Sequence, residues 1–364
     1  MPIGLYIHIP FCSKPCPYCD FAFEVGKNSL ATPYTQAVVK EFRTRLPKPA
    51  PCFETLFFGG GTPSAIPAEA LENILNTVRT EATIPSDAEI TAEANPNDSS
   101  RFGDLRKIGI NRLSLGVQAL DDRDLVALGR NHSSGEAVSA FQIARESGFE
   151  NIGIDLIFGV PGQSVNRWRK TLEQALALKP NHISVYGLTI ESGTAFGRRQ
   201  EKGRLTLPPE GDQAEMYNLA LDLLGEFVHY EISNFALPGF ASRHNLSCWE
   251  GRPYLGIGVS AHSFLDQHRS WNVRNLDDYL HRIETGSSAK EGEEFIGNDQ
   301  RELEHIMLGL RQRKGIPESS LPNHSSVDNL LSNHILVREN GHIRLSRRGL
   351  LLADLVCAEL VKEA

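Results

Sequence analysis

The chain has 364 residues, 37 Lys+Arg against 45 Asp+Glu, a formal charge of −8 and 40% hydrophobic residues. At ~150 residues per domain this predicts two domains, or one large α/β unit with an appendage, around a sizeable core. Six cysteines are too few for a disulfide scaffold, no apolar run reaches the ~18–20 residues of a membrane span, and the acidic balance argues against nucleic acid as the main partner. The opening MPIGLYIHIPF lacks the positive n-region and cleavage site of a signal peptide, so a reduced, cytoplasmic protein is expected.

In the first half, short apolar runs predict strands at Leu5–Ile9, Glu54–Phe58, Glu89–Glu93, Arg112–Val117, Ile152–Phe158 and His182–Leu188. Helical stripes lie between them. Leu71, Ile74, Leu75 and Val78 form one, Ala137, Ala140, Phe141 and Ala144 a second, and Trp168, Leu172, Ala175 and Leu176 a third. Six βα units predict a parallel sheet, doubly wound or partly closed into a barrel, with ligands at the carboxyl ends of the strands. A helix is expected around Gln213–Phe227, then an extended stretch His229–Phe235. Gly256–His262 reads as loop, Asp277–Ile283 as a short helix, and Ser287–Asn298 as a linker. The C-terminal part reads as a helix near Arg301–Leu310, a hairpin turning at Asn340-Gly341, and a final helix, together a small winged-helix-like domain. Its nine Lys+Arg balance nine Asp+Glu over 298–364, which favours packing over DNA binding. The expected division is 1–205 for the barrel, 206–286 for a barrel-completing region and 298–364 for the C-terminal domain.

Cys12, Cys16 and Cys19 form Cys-x3-Cys-x2-Cys on a loop after the first strand, and Pro10, Pro15 and Pro17 keep that loop from becoming helix. A structural zinc or a conventional four-iron cluster would normally take four ligands, and no fourth cysteine lies nearby. Three packing thiols, or a zinc borrowing a distant histidine, also fit the residues. So does a four-iron cluster with one iron open to a bidentate small molecule. Farther on, Gly59-Gly60-Gly61-Thr62-Pro63 follows the second strand, where glycines permit close approach of a backbone. The third strand ends in Glu93.

Taken with Leu113–Gln118, Leu128–His132 and Ile154–Gly159, these segments resemble the coproporphyrinogen III oxidase-like branch of the radical S-adenosylmethionine (SAM) superfamily, which comprises the HemN oxidases and the HemW heme chaperones. The resemblance implies an α/β fold, a radical SAM partial (βα)6 barrel with a smaller, mainly helical C-terminal domain. It implies a [4Fe-4S] cluster on Cys12, Cys16 and Cys19, and a SAM site lined by Tyr6, Tyr18, Gly60, Gly61, Thr62, Glu93, Gln118, Arg130, Asp155, Thr189 and His262.

Within the branch, the oxidase carries a further cysteine where this chain has Phe21, and an N-terminal extension where only eleven residues precede Cys12. HemW proteins carry His-Asn-x-x-Tyr-Trp, and this chain has His244-Asn-Leu-Ser-Cys248-Trp249, with Cys in place of Tyr. The resemblance is therefore closest to the heme chaperones, with heme as a third cofactor and His244 and Trp249 as its candidate contacts. The partners implied are heme and apo-hemoprotein acceptors, with a homodimer and a peripheral membrane contact left open. The alternative is an oxygen-independent coproporphyrinogen III oxidase, so whether the chain is an enzyme stays undecided at this level. Cys52 has no motif around it, and Cys357 lies on an amphipathic helix that reads as core.

Overall fold

A computed structural model describes residues 2–321 and 325–362. Six parallel strands stand side by side in chain order: β1 (Pro2–Ile9), β2 (Cys52–Gly60), β3 (Glu89–Ala94), β4 (Arg112–Gln118), β5 (Asn151–Phe158) and β6 (His182–Gly187). All six expected strands are present, each within a few residues of its expected bounds. Their connections carry the amphipathic helices. Ala68–Glu81 buries Leu71, Ile74, Leu75 and Val78, Ser134–Glu146 buries Ala137, Ala140, Phe141 and Ala144, and Val165–Ala177 buries Trp168, Leu172 and Ala175. A capping box at the start of the second of these, Ser133 with Glu136, satisfies otherwise unpaired N–H groups.

Six more strands extend the sheet to twelve: β7 (Val228–Glu231), β8 (Asn234–Ala236), β9 (Tyr254–Ile257), β10 (His262–Leu265), β11 (His268–Asn272) and β12 (Lys290–Phe295). The order is β12-β11-β10-β9-β1-β2-β3-β4-β5-β6-β8-β7. β9 pairs parallel with β1, Gly4 opposite Tyr254 through Ile7 opposite Ile257, and the remaining outer pairings are antiparallel.

Two expectations are corrected here. The glycine-rich stretch read as loop from Gly256 is half strand. Its glycine serves a tight reversal, because a Cβ on Gly256 would fall 1.8 Å from the His262 carbonyl oxygen. The stretch read as a linker contains edge strand β12, whose Lys-Glu-Gly-Glu-Glu-Phe is exposed along most of its length. Charged residues guard a sheet edge as readily as they fill a linker, so composition alone does not separate the two. Gly292 within it lies under the Trp271 ring, where a Cβ would meet Cζ2 at 2.4 Å.

The C-terminal region has helices Asn298–Arg311, Ser325–Ser332 and Ala353–Lys362 and a small sheet of β13 (Ile316–Pro317), β14 (Leu336–Glu339) and β15 (His342–Leu345), in the order β13-β15-β14. Asn340 and Gly341 turn the β14–β15 hairpin with positive φ of 50° and 74°. Among the described residues no helix is long and apolar enough to cross a membrane.

Candidate cofactor site

Alternate residues of four of the parallel strands, β3 to β6, face one cavity of about 460 Å³, and Phe57 and Gly60 of β2 border it. From β3 come Thr91 and Glu93, from β4 Arg112, Ser114, Gly116 and Gln118, from β5 Asp155 and Ile157, and from β6 His182, Ser184 and Tyr186. All are two apart, as side chains on one face of a strand must be. A single cavity reached from so many strands requires the sheet to curve around it.

The cysteine loop closes the mouth. Cys12, Cys16 and Cys19 all border the cavity and each is half-buried. Arg130 Nη1 donates to Cys16 Sγ at 3.3 Å and its Nη2 to the Gly116 carbonyl at 2.9 Å, while Cys12 Sγ lies 3.5 Å from Thr62 Oγ1. Burial pushes the Cys12 thiol up, and pushes that of Cys19 up to about 11. Tyr18 also borders the cavity, and the Phe196 N–H fastens its neighbour Pro17 through a 2.8 Å bond to the carbonyl.

The triple glycine borders the cavity and also packs tightly against the chain beside it. Gly60 N–H donates to Glu93 Oε2 at 3.0 Å, Gly61 N–H to the Ile9 carbonyl at 2.9 Å, and Thr62 N–H to the Phe11 carbonyl at 2.8 Å. A Cβ on Gly61 would sit 2.6 Å from the Pro10 carbonyl carbon, and one on Gly60 (φ 109°) 2.4 Å from the His8 ring. The close approach is therefore between this loop and the root of the cysteine loop, which takes the Gly61 and Thr62 N–H groups, while Gly60 N–H serves Glu93.

Deeper in, Ser184 and Ser114 hydroxyls donate to the two oxygens of Asp155 at 2.6 and 2.9 Å. Burial raises the Asp155 carboxyl, against the lowering effect of those hydroxyls. Glu93 is pushed up to about 7 by burial and then by the charge of Asp155, countered by the Gly60 N–H. Gln118 takes φ 68° at a register shift after Leu115, so a bulge aims its amide into the cavity. Thr91 Oγ1, Arg130 Nε and His182 Nδ1 are buried without a hydrogen-bond partner. Polar atoms left so in a cavity call for a ligand or water.

The sequence model of the Radical SAM superfamily matches residues 6–175. A "Heme chaperone HemW" from Lactococcus lactis is 33% identical over 97% of this chain and 96% of its own. Another from Bacillus subtilis is 38% identical over 85% and 84%. The chain belongs to the HemN/HemW family of radical SAM proteins. Among solved structures, Escherichia coli coproporphyrinogen III oxidase (HemN) matches 100% of this chain and 91% of its own with a TM-score of 0.85, a likeness of fold at 23% identity.

Membership in the radical SAM family implies a [4Fe-4S] cluster and SAM. Among the described residues no three His, Cys, Asp or Glu side chains converge to hold one metal ion. That is unfavourable to a mononuclear zinc, but a cluster gives each thiolate its own iron and needs no common point. Three thiols on one short loop, facing a cavity with polar atoms unpartnered, fit the cluster and a small polar ligand beside it.

Of the residues expected to line that ligand, Tyr18, Gly60, Gly61, Thr62, Glu93, Gln118, Arg130, Asp155 and Thr189 border the cavity. Tyr6 stands behind it, stacked on Phe57 at 6.2 Å, with its hydroxyl 3.0 Å from His8 Nδ1. His262 does not border the cavity. It lies exposed on the β10–β11 hairpin, stacked on Trp271 at 6.1 Å, away from the cavity.

The expected heme contacts stand on a helix. Arg243–Trp249 is a helix, not a loop. Five residues of helix set His244 and Trp249 about 140° apart around its axis. His244 is only 5% exposed, packed on Phe57 at 5.1 Å with Nδ1 2.9 Å from Thr55 Oγ1, and burial lowers it to about 4. Trp249 faces the C-terminal region, with the Arg311 guanidinium 4.5 Å over its ring and its carbonyl receiving Gln312 Nε2 at 2.8 Å. Cys248 is half-buried and raised to about 11 by burial, an inert thiol.

Sequence reasoning missed Thr91, Arg112, Ser114, His182, Ser184 and Tyr186. The signal was present as period-two polarity inside strands, as in Arg-Leu-Ser-Leu-Gly-Val-Gln and His-Ile-Ser-Val-Tyr. A soluble sheet with one wet face carries the same alternation, so the pattern does not announce a cavity.

Proposed function

We propose that this protein is a heme chaperone that carries a [4Fe-4S] cluster on Cys12, Cys16 and Cys19, takes SAM into the strand-end cavity, and passes heme to acceptor hemoproteins. The observation that carries the reading is the near full-length match to a relative named as a heme chaperone, 97% of this chain against 96% of the other. Phe21 supports it, standing where the oxidase pattern has a further cysteine. When bound, the cluster supplies an open iron for the amino and carboxylate groups of SAM and an electron for its sulfonium. The chain's own residues then bind and orient. Glu93, ionised, is the counter-charge for a cationic ligand and an acceptor for the N–H groups of its amine, Arg130 the partner for an anionic group or a thiolate, and Asp155, held by two serines, an acceptor fixed in place. Gln118 presents an amide from its bulge, and Tyr18, Thr62 and Thr189 exclude water at the rim. On this reading residues 1–205 make the barrel, 206–286 complete it, and 298–364 form a winged-helix-like domain.

The test is a paired measurement on anaerobically purified, cluster-loaded protein. Heme is titrated by absorbance, and coproporphyrinogen III conversion is assayed with SAM and a reductant. Stoichiometric heme binding without vinyl product supports the chaperone. Conversion to protoporphyrinogen at an enzyme's rate overturns it in favour of the oxidase.

A further inference from the structure

Phe21 is 62% exposed, unusual for a phenylalanine. It stands two residues after Cys19, and with Phe23 it lines both the main cavity and a second one of about 170 Å³ formed with Pro10, Ala22, Val259 and Arg274. Its backbone is nailed down on both sides. Arg274 Nη2 donates to the Asp20 carbonyl, and His8 Nε2 to the Ala22 carbonyl at 2.8 Å. An apolar ring held rigid with nothing over it is pre-organised for a flat apolar partner, because little ordering is left to be done on binding.

The flanking charge narrows the partner. Lys14 borders the main cavity and Arg274 the second, both exposed, and neither pairs with a carboxylate among the described residues. Of the nearby acids, Glu24 is taken by Lys27 at 3.3 Å, leaving Asp20. A planar apolar ligand with anionic edge groups fits an aromatic face flanked by two cations that have no carboxylate partner among the described residues.

We propose that the heme site is this ledge: the macrocycle lies on Phe21 and Phe23 at the cavity mouth, with its propionates toward Lys14 and Arg274. The inference rests on the heme-chaperone reading and moves the heme from the His244–Trp249 helix to the cysteine loop.

The experiment titrates heme anaerobically into cluster-loaded wild-type, Phe21→Ala, Phe21→Trp, Lys14→Gln and Arg274→Gln proteins, recording iron content and SAM binding for each. Phe21→Ala is expected to weaken heme binding about tenfold or more, with iron and SAM binding unchanged. Phe21→Trp keeps the affinity. The two charge variants weaken heme but leave heme dimethyl ester, which lacks the anionic groups, as in wild type. Unchanged heme affinity in Phe21→Ala overturns the site, and so does a loss that appears only together with loss of iron. If Phe21→Ala keeps its heme affinity but no longer transfers heme, the ledge serves the acceptor protein and the proposal is likewise overturned. Wild-type protein that binds no heme defeats the chaperone reading itself, a result visible before any variant is compared.

Discussion

His8 Nε2 lies 2.8 Å from the carbonyl oxygen of Ala22. A carbonyl only accepts, so the imidazole donates there, and Nδ1 receives the Tyr6 hydroxyl at 3.0 Å. A buried histidine on the strand that launches the cysteine loop thus grips the loop where it returns, three residues after Cys19. Burial lowers this imidazole to about 4, so it is neutral at pH 7 and the bond is one between uncharged groups.

Replacing His8 by Ala leaves the Ala22 carbonyl without its donor and empties the space over Gly60. The expected cost is about 1–3 kcal/mol, together with a fall in iron and sulfide per chain after reconstitution. Iron analysis beside a urea titration reads both. Normal iron content in a destabilised variant would show that the pin serves folding and not the loop.

Gly61→Ala tests the tight seam between the glycine turn and Pro10. Its Cβ would meet backbone atoms, the Pro10 carbonyl carbon at 2.6 Å and the Ile9 oxygen at 2.9 Å, and backbone cannot swing aside. A loss of about 1–3 kcal/mol is expected in the thermal or urea midpoint. A substitution at Gly26, just beyond the cysteine loop, which has φ 76° and no atom within 4 Å of a Cβ, separates steric cost from conformational cost.

Glu93 gives a pH signature to ligand binding. With its carboxyl at about 7, it is mostly neutral at pH 6 and mostly ionised at pH 8. Affinity for a cationic ligand such as SAM, whose sulfonium keeps its charge at every pH, should therefore rise with pH through that window. Glu93→Gln should bind more weakly at pH 8 and lose most of the rise. SAM titrations at pH 6, 7 and 8 on cluster-loaded protein decide it, and an unaltered slope in the variant removes Glu93 from the contact.

His244 contributes to acid lability. Its folded value of about 4 lies below the ordinary 6.5, so the unfolded chain binds more protons between those limits. The contribution is fully present above about pH 6.5 and is lost as pH falls toward 4, up to about 3 kcal/mol for this residue. Relative to wild type, His244→Gln should flatten the decline of urea midpoint with acid while leaving heme affinity within about twofold. A large loss of heme affinity with an intact fold would return the ligand to this helix.

Arg311 joins the C-terminal region to the large sheet. Its Nε lies 3.3 Å from Glu231 Oε2, whose side chain is wholly buried, and its guanidinium covers Trp249. Arg311→Ala strands a buried carboxylate and is expected to cost about 3–5 kcal/mol. The double change Arg311→Met with Glu231→Gln should recover much of it, since the uncompensated charge is then gone.

How much of this was legible beforehand follows from the range of the forces involved. Apolar periodicity is local, and it located the six parallel strands and the helices that cover them. The cysteine spacing, the glycine turn, Glu93 and Asp155 are set by short stretches of chain, and all proved to face one cavity. The sequence by itself therefore determined the family, the order of the parallel strands and the chemistry of the donor set only where neighbours in the chain are also neighbours in space. Tertiary packing decided the rest. It made β9 a partner of β1 across some 250 residues of chain, turned an acidic stretch into an edge strand, put His262 on an outer hairpin, and set His244 and Trp249 on different faces of one short helix. None of these follows from residue type, because burial and direction depend on what the remainder of the chain brings to the other side.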